Sequence, residues 1–309
     1  MKSDRPFSRS IIKIGTRILL GGARAHAQDG FPGLAIRTPP SGNGDVFYKG
    51  RRVATLRPEQ DLRGRAGAFV CILGSGPSMR ESAPERMPPQ AAIALNGAMT
   101  LFGTHIRSPL AVAVEDERFV FRHFALMREK IPPGLPCLFS VGVLRVICEY
   151  DPAWLADKPV VLIDNITKPY GSRRRKLSDF SGDPTVRIDP STGAGFSLSP
   201  DRGVFQGGSV AVSAFQFALF CNPAAIGFMG VDISNAGGAR FYEQPGSVAF
   251  SGIADAEARI LAHIALGVPV ARQRGVDLLN FSPVSALERC GLSYDDRYAR
   301  SSALSVNAD

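Results

Sequence analysis

The chain has 309 residues, a net charge of +8 and a sequence pI of about 9.5, with 45% apolar and 21% charged residues. That composition excludes a disordered or fibrous chain and leaves room for one large α/β domain with additions, or two small domains. The positive balance favours an anionic partner such as a nucleotide, a phosphorylated glycan or a membrane surface. No nucleic-acid module is present and the aromatic residues do not interleave with the basic ones, so nucleic acid is set aside. Five scattered cysteines, Cys71, Cys137, Cys148, Cys221 and Cys290, form no C-x-x-C pair, which gives neither a zinc nor a redox motif and fits a reducing cytosol.

Residues 1–27 mix basic and apolar side chains: Arg5, Arg9, Lys13, Arg17 and Arg24 around Ile11, Ile12, Ile14, Ile18, Leu19 and Leu20. Ala25-His26-Ala27 resembles a signal-peptide cleavage site, but Lys13 and Arg17 interrupt the apolar core such a peptide needs. The apolar run is too short to span a bilayer. The pattern predicts a cationic amphipathic helix lying on an anionic membrane, against a disordered tail or an ordinary packed helix. Residues 28–43 are rich in Gly and Pro and read as linker, and 45–56 read as two short strands around Lys49-Gly50. Residues 1–60 therefore form an N-terminal extension, and 61–309 the α/β domain.

Phe69 to Leu73 is an unbroken apolar run ending on Gly74-Ser75-Gly76-Pro77, the pattern of a central parallel strand turning tightly into a helix. Free backbone N–H groups at such a turn can face a phosphate, although Met79 stands where a dinucleotide fingerprint has its third glycine. Residues 91–95 give a second buried strand closing on Asn96-Gly97, and 110–114 a third closing on Glu115-Asp116. Ligands of open α/β sheets sit at the carboxyl ends of strands, which makes Asn96, Glu115 and Asp116 candidates by position, with helix capping as the plainer reading of each.

A helix is predicted from Arg118 to Glu129, and strands within 137–148 and 160–163. The polar stretch 167–200, with its Arg173-Arg174-Arg175-Lys176 run, reads as a long solvated loop or as an arm that meets phosphate. Gly207-Gly208-Ser209 opens a helix that is apolar all round and stops at Asn222-Pro223. Residues 225–232 give a strand ending on Asp232, 234–254 a lid-like loop, 255–266 a helix and 276–280 a last strand.

Taken together, Ile72-Leu-Gly-Ser-Gly-Pro-Ser78, Leu95-Asn96, Gly203-Val-Phe-Gln-Gly-Gly-Ser-Val210, Gly230-Val-Asp232 and Asn280-Phe-Ser-Pro283 resemble the superfamily that joins family 42 bacterial sialyltransferases with the hydroxymethylpterin diphosphokinase-like domain. The likeness spans about residues 69–287 and rests on the order and spacing of short motifs. It implies a Rossmann-like, GT-A type α/β fold and a metal-independent, inverting glycosyltransferase. Its donor would be a nucleotide-activated sugar such as sialic or another ulosonic acid. The acceptor would be a cell-surface glycan or glycolipid such as lipopolysaccharide. With residues 1–27 read as a membrane-surface helix, the enzyme is expected to be cytoplasmic and peripheral on the inner membrane. The implied nucleotide contacts are Gly74, Ser75, Gly76 and Asn96, with Glu115 or Asp116 in the place of a second asparagine. Gly207, Gly208 and Ser209 would hold the sugar's carboxylate, and Tyr242 the departing phosphate. The family's activating histidine has no counterpart between Phe241 and Asp255, and His263 lies inside the following helix. Base candidates are then Asp232, Glu243 and Asp255. A carboxylate at 115 or 116 beside a phosphodiester keeps two alternatives open. One is a magnesium-dependent diphosphokinase with Glu115, Asp116 and Asp232 on the metal. The other is a non-catalytic glycan- or nucleotide-binding relative.

Overall fold

The computed structural model describes residues 6–30, 32–38, 43–233, 240–241 and 253–300, without the side chains of residues 28 and 253–255. Its strands are β1 Leu34–Arg37, β2 Gly44–Tyr48, β3 Arg51–Leu56, β4 Phe69–Leu73, β5 Ala92–Leu95, β6 Ala111–Val114, β7 Cys137–Ser140, β8 Val160–Ile163, β9 Val186–Asp189, β10 Ala194–Ser197, β11 Ala225–Met229 and β12 Asp277–Asn280. Its α-helices are α1 Phe7–Leu20, α2 Glu59–Arg65, α3 Glu117–Lys130, α4 Val141–Tyr150, α5 Val210–Cys221 and α6 Ile253–Gln273.

Ten strands form one sheet in the order β1-β2-β3-β8-β7-β6-β5-β4-β11-β12, parallel from β3 to β12 and antiparallel only at the β1–β3 edge. The expected Rossmann-like sheet is thus present. Period-two alternation divides the side chains of each strand between two helical layers. Val70 and Ile72 of β4 join Ile93, Ala111 and Ala113 beneath α5 and α6, while Cys71 and Leu73 join Ala94, Val112 and Val114 beneath α3 and α4. Both faces are covered, which is why the central strands read as continuous apolar runs.

From β4 the chain lays down β5 and β6 towards one edge, with β7 and β8 beyond them. It then returns through α5 to place β11 on the other side of β4. The topological switch, where such sheets open a crevice, lies between β4 and β11.

Three expectations need correction. Residues 28–43 are not merely linker: Leu34–Arg37 pairs antiparallel with β2, and the hairpin joins the main sheet where Leu56 meets Val160. Residues 137–148 hold a strand followed by a helix. Ser140 makes the break by accepting a bond from Val143 N at 3.2 Å, the role of an N-cap. The 167–200 stretch contains the β9–β10 hairpin, whose β10 packs under α6.

Candidate active site at the carboxyl edge of the sheet

At the switch crevice, the ends of β4 and β11 are bound directly to each other. Gly74 N donates to Met229 O at 2.7 Å and Gly76 N to Gly230 O at 2.8 Å. A Cβ on Gly74 would lie 2.7 Å from the carbonyl carbon of Gly230, so the glycine is required by backbone contact with a neighbouring strand. Asp232 closes the turn. Its Oδ2 accepts from Ser78 N at 2.7 Å and its Oδ1 from Ser78 Oγ at 2.6 Å, with Ser282 Oγ 3.0 Å from the same hydroxyl. A Cβ on Gly76 would fall 2.6 Å from Asp232 Cγ. The N–H groups of residues 74, 76 and 78 are therefore occupied by protein, which corrects the expectation of a phosphate cradle of free N–H groups. Asp232, expected as a base, is a buried acceptor that fixes this turn. Ser75 is half-buried at the crevice, and its carbonyl accepts from Phe241 N at 3.3 Å.

The neighbouring strand ends carry different chemistry. Asn96 follows β5 with φ +48°, a left-handed backbone that asparagine adopts more readily than most residues. Its Oδ1 is buried and lacks a hydrogen-bond partner among the described residues. A buried acceptor left without a partner in this way is characteristic of ligand sites. Glu115 follows β6 on the α5 side of the sheet and receives a short hydrogen bond from Ser213 Oγ, in the first turn of α5. Burial pushes its carboxyl up to about 7; the Ser213 bond opposes that rise and the adjacent Asp116 charge adds to it. Asp116 itself caps α3, accepting from Arg118 N at 2.9 Å and pairing with the Arg118 guanidinium at 2.7 Å. The plainer, capping reading describes what Asp116 does.

Asp164 ends β8 in a similar way. Burial raises its carboxyl to about 6, and it accepts from Asn165 N at 2.9 Å and Tyr170 N at 3.0 Å, so it anchors the following loop.

At the start of α5, Ser209 is the N-cap: its Oγ accepts from Ala211 N at 3.2 Å. The glycines before it were expected to make room for a ligand, but that room is filled. A Cβ on Gly207 would lie 2.9 Å from the His263 ring, and one on Gly208 would lie 2.6 Å from Arg259 Nη2. Gly208 also needs φ +97°. Arg259 Nε donates to Gly207 O at 3.3 Å, which sets an exposed guanidinium over the loop. Sequence reading missed Arg259 because nothing in the helical pattern of α6 marks one arginine as facing the Gly207–Ser209 loop across the fold. His263 is buried, with Nδ1 2.6 Å from Gly195 O, and burial lowers its pKa; it packs the interior of α6 against β10.

Tyr242 and Glu243 lie outside the described residues, as does the side chain of Asp255. Glu115, Asp116 and Asp232 turn to separate partners, and no group of three His, Cys, Asp or Glu able to hold a metal occurs among the described residues. Along this edge, Asn96 and Glu115 follow the adjacent strands β5 and β6, Glu115 is bound by Ser213 of α5, and Arg259 of α6 reaches the Gly207–Ser209 loop that opens α5. These are an unsatisfied hydrogen-bond acceptor, a carboxyl raised to about 7 and a cation on a Rossmann-like sheet.

No known family model matches the chain, and no curated protein does. Among solved structures, it is similar to the sialyltransferase CstII from Campylobacter jejuni in complex with the substrate analogue CMP-3FNeuAc. The identity is 12% over 76% of this chain and 89% of that one, with a TM-score of 0.38. The same enzyme in complex with cytidine-5'-monophosphate is 14% identical over 75% of this chain and 92% of that one, with a TM-score of 0.32. Likeness at this level assigns no residue here a role.

Proposed function

We propose that the protein is a glycosyltransferase that moves an acidic sugar from a nucleotide-activated donor to a hydroxyl group of a cell-surface glycan or glycolipid. The observation that carries this reading is Glu115, a carboxyl raised to about 7 at the carboxyl edge of a central strand. Proton transfer is most efficient when the group's pKa lies near the working pH. The Glu115 carboxylate takes the acceptor's O–H proton as the acceptor oxygen bonds to the anomeric carbon. The bond from that carbon to the nucleotide's phosphate oxygen breaks, and its electron pair leaves with the phosphate. Arg259 offers a cation to the negative charge of the donor. The buried Asn96 Oδ1 calls for a donor group, such as a nucleoside amino or hydroxyl group, to satisfy it. The donor class rests on the order of the sequence motifs described above.

The test is calorimetry with CMP, CDP, UDP, GDP and ATP, each with and without magnesium, followed by hydrolysis of a CMP-activated sialic acid. Metal-independent CMP binding and slow donor hydrolysis, the latter lost in Glu115→Gln, are expected. Nucleotide binding that requires magnesium would overturn the reading in favour of a diphosphokinase. Nucleotide binding without donor turnover would leave a non-catalytic binding protein.

A further inference from the structure

The amino-terminal helix sits on the body of the protein the wrong way round for a globular fold. In α1, Arg9 and Thr16 are buried, whereas Phe7, Ile11, Ile14, Ile18 and Leu19 are 80%, 57%, 61%, 76% and 82% exposed. At about 100° per residue, Phe7, Ile11, Ile14 and Ile18 fall on one narrow stripe, diametrically opposite Arg9 and Thr16. The polar side is the anchored side. Arg9 Nη2 pairs with Glu117 Oε2 at 2.7 Å and its guanidinium lies 5.7 Å from the Phe121 ring centre, both on α3. The buried Arg145 of α4 lies 3.8 Å from the same Glu117 oxygen. The turn after α1 is also fixed: Arg174 N donates to Ala23 O at 2.8 Å, and His26 Nε2 lies 3.0 Å from Pro169 O. A helix held this way presents its apolar stripe outward by construction.

We infer that this stripe docks the protein on an anionic bilayer surface, with α1 lying in the interface plane. The exposed Lys13 and Arg17 flank the stripe, and α1 contains no acidic residue. That is the charge pattern of an interfacial helix facing acidic headgroups. The same absence of acids argues against a second copy as the occupant, because pairing two α1 helices would set lysine and arginine against their like. The helix is about 21 Å long, enough to lie along a surface but too short to cross one. Among the described residues no helix is long and apolar enough to cross a membrane. The anchor Glu117 is two residues from Glu115, so docking through α1 would bring the carboxyl edge of the sheet towards the bilayer. The inference does not depend on the proposed reaction, and its test does not measure activity.

The experiment is sedimentation of the full chain with vesicles of phosphatidylcholine alone and with added phosphatidylglycerol, at low and high salt, beside sedimentation velocity without lipid. Binding to the anionic vesicles, weakened by salt, is expected. Ile11→Glu/Ile18→Glu should lower vesicle affinity by about tenfold or more while leaving the melting temperature unchanged, because both positions face solvent. Lys13→Glu/Arg17→Glu should weaken binding to the anionic vesicles and remove its salt dependence. A wild-type chain that ignores the vesicles, or a folded Ile11→Glu/Ile18→Glu chain that binds them equally well, would overturn the inference. So would a dimer abolished by Ile11→Glu/Ile18→Glu in a chain that does not bind lipid, which would assign the stripe to a second copy.

Discussion

Replacing Glu115 with Gln should make the protein more stable and less active, and the gain in stability should depend on pH. Glu115 is raised from 4.5 to about 7 by burial beneath α5. Between those values the folded protein holds a proton that the unfolded chain has lost, so stability falls as pH rises through this window. Below about 4.5 both states are protonated, and above about 7 both are ionised, so the curve is flat on either side. A carboxyl raised from 4.5 to about 7 gives a penalty of roughly 3 kcal/mol at pH 8, as an upper value, since each tenfold change in proton affinity is worth about 1.4 kcal/mol. Gln keeps an acceptor for Ser213 Oγ without the charge. Urea unfolding of both proteins at pH 5 and pH 8 measures the effect. The two should differ little at pH 5, and Glu115→Gln should exceed the wild type by a few kcal/mol at pH 8. In the wild type, donor turnover should rise with pH through about 7, since the ionised form accepts the proton, and in Glu115→Gln it should be lost. Parallel stability profiles for the two proteins would refute the argument that burial keeps this carboxyl protonated near neutrality.

Asn96→Gly should leave melting unchanged or slightly raised, since glycine adopts φ +48° without strain, while nucleotide affinity drops in calorimetry; equal affinity would remove Asn96 from the site. Gly74→Ala should cost 2 kcal/mol or more (roughly, for overpacking against backbone), read from thermal melts, because its Cβ has only the Gly230 carbonyl to displace. Asp116→Ala should lower stability by about 1 kcal/mol in urea with donor turnover of the folded protein intact, as befits a helix cap; a selective loss of turnover would return it to the substrate.

How far the sequence could be read varied from element to element. The unbroken apolar runs at β4 and β8 gave both strands at their full extent, because strands covered on both faces admit no polar residue. Ser140 and the β9–β10 hairpin were harder. A single serine in an apolar run, or an alternation diluted by Gly, Pro and Asp, leaves too weak a period for either element to stand out. The glycines at 74, 76, 207 and 208 were recognised as close approaches, but what approaches them was misjudged. Backbone, Asp232, His263 and Arg259 occupy the space expected for a ligand.

By itself, then, the sequence determined the parallel α/β sheet, the positions where strands end on polar residues, and the amphipathic character of the first helix. Those are local properties, set by side-chain period and by which residues a turn or cap tolerates. Only the tertiary structure decided that Asp232 locks Ser78 from across the chain, that Asp116 caps while Glu115 is held by Ser213 with its pKa raised, and that α1 anchors by its polar side. Periodicity fixes the angle of a residue about its own helix or strand but does not choose the neighbour on that side. A pKa follows from the burial and the charges that those neighbours supply.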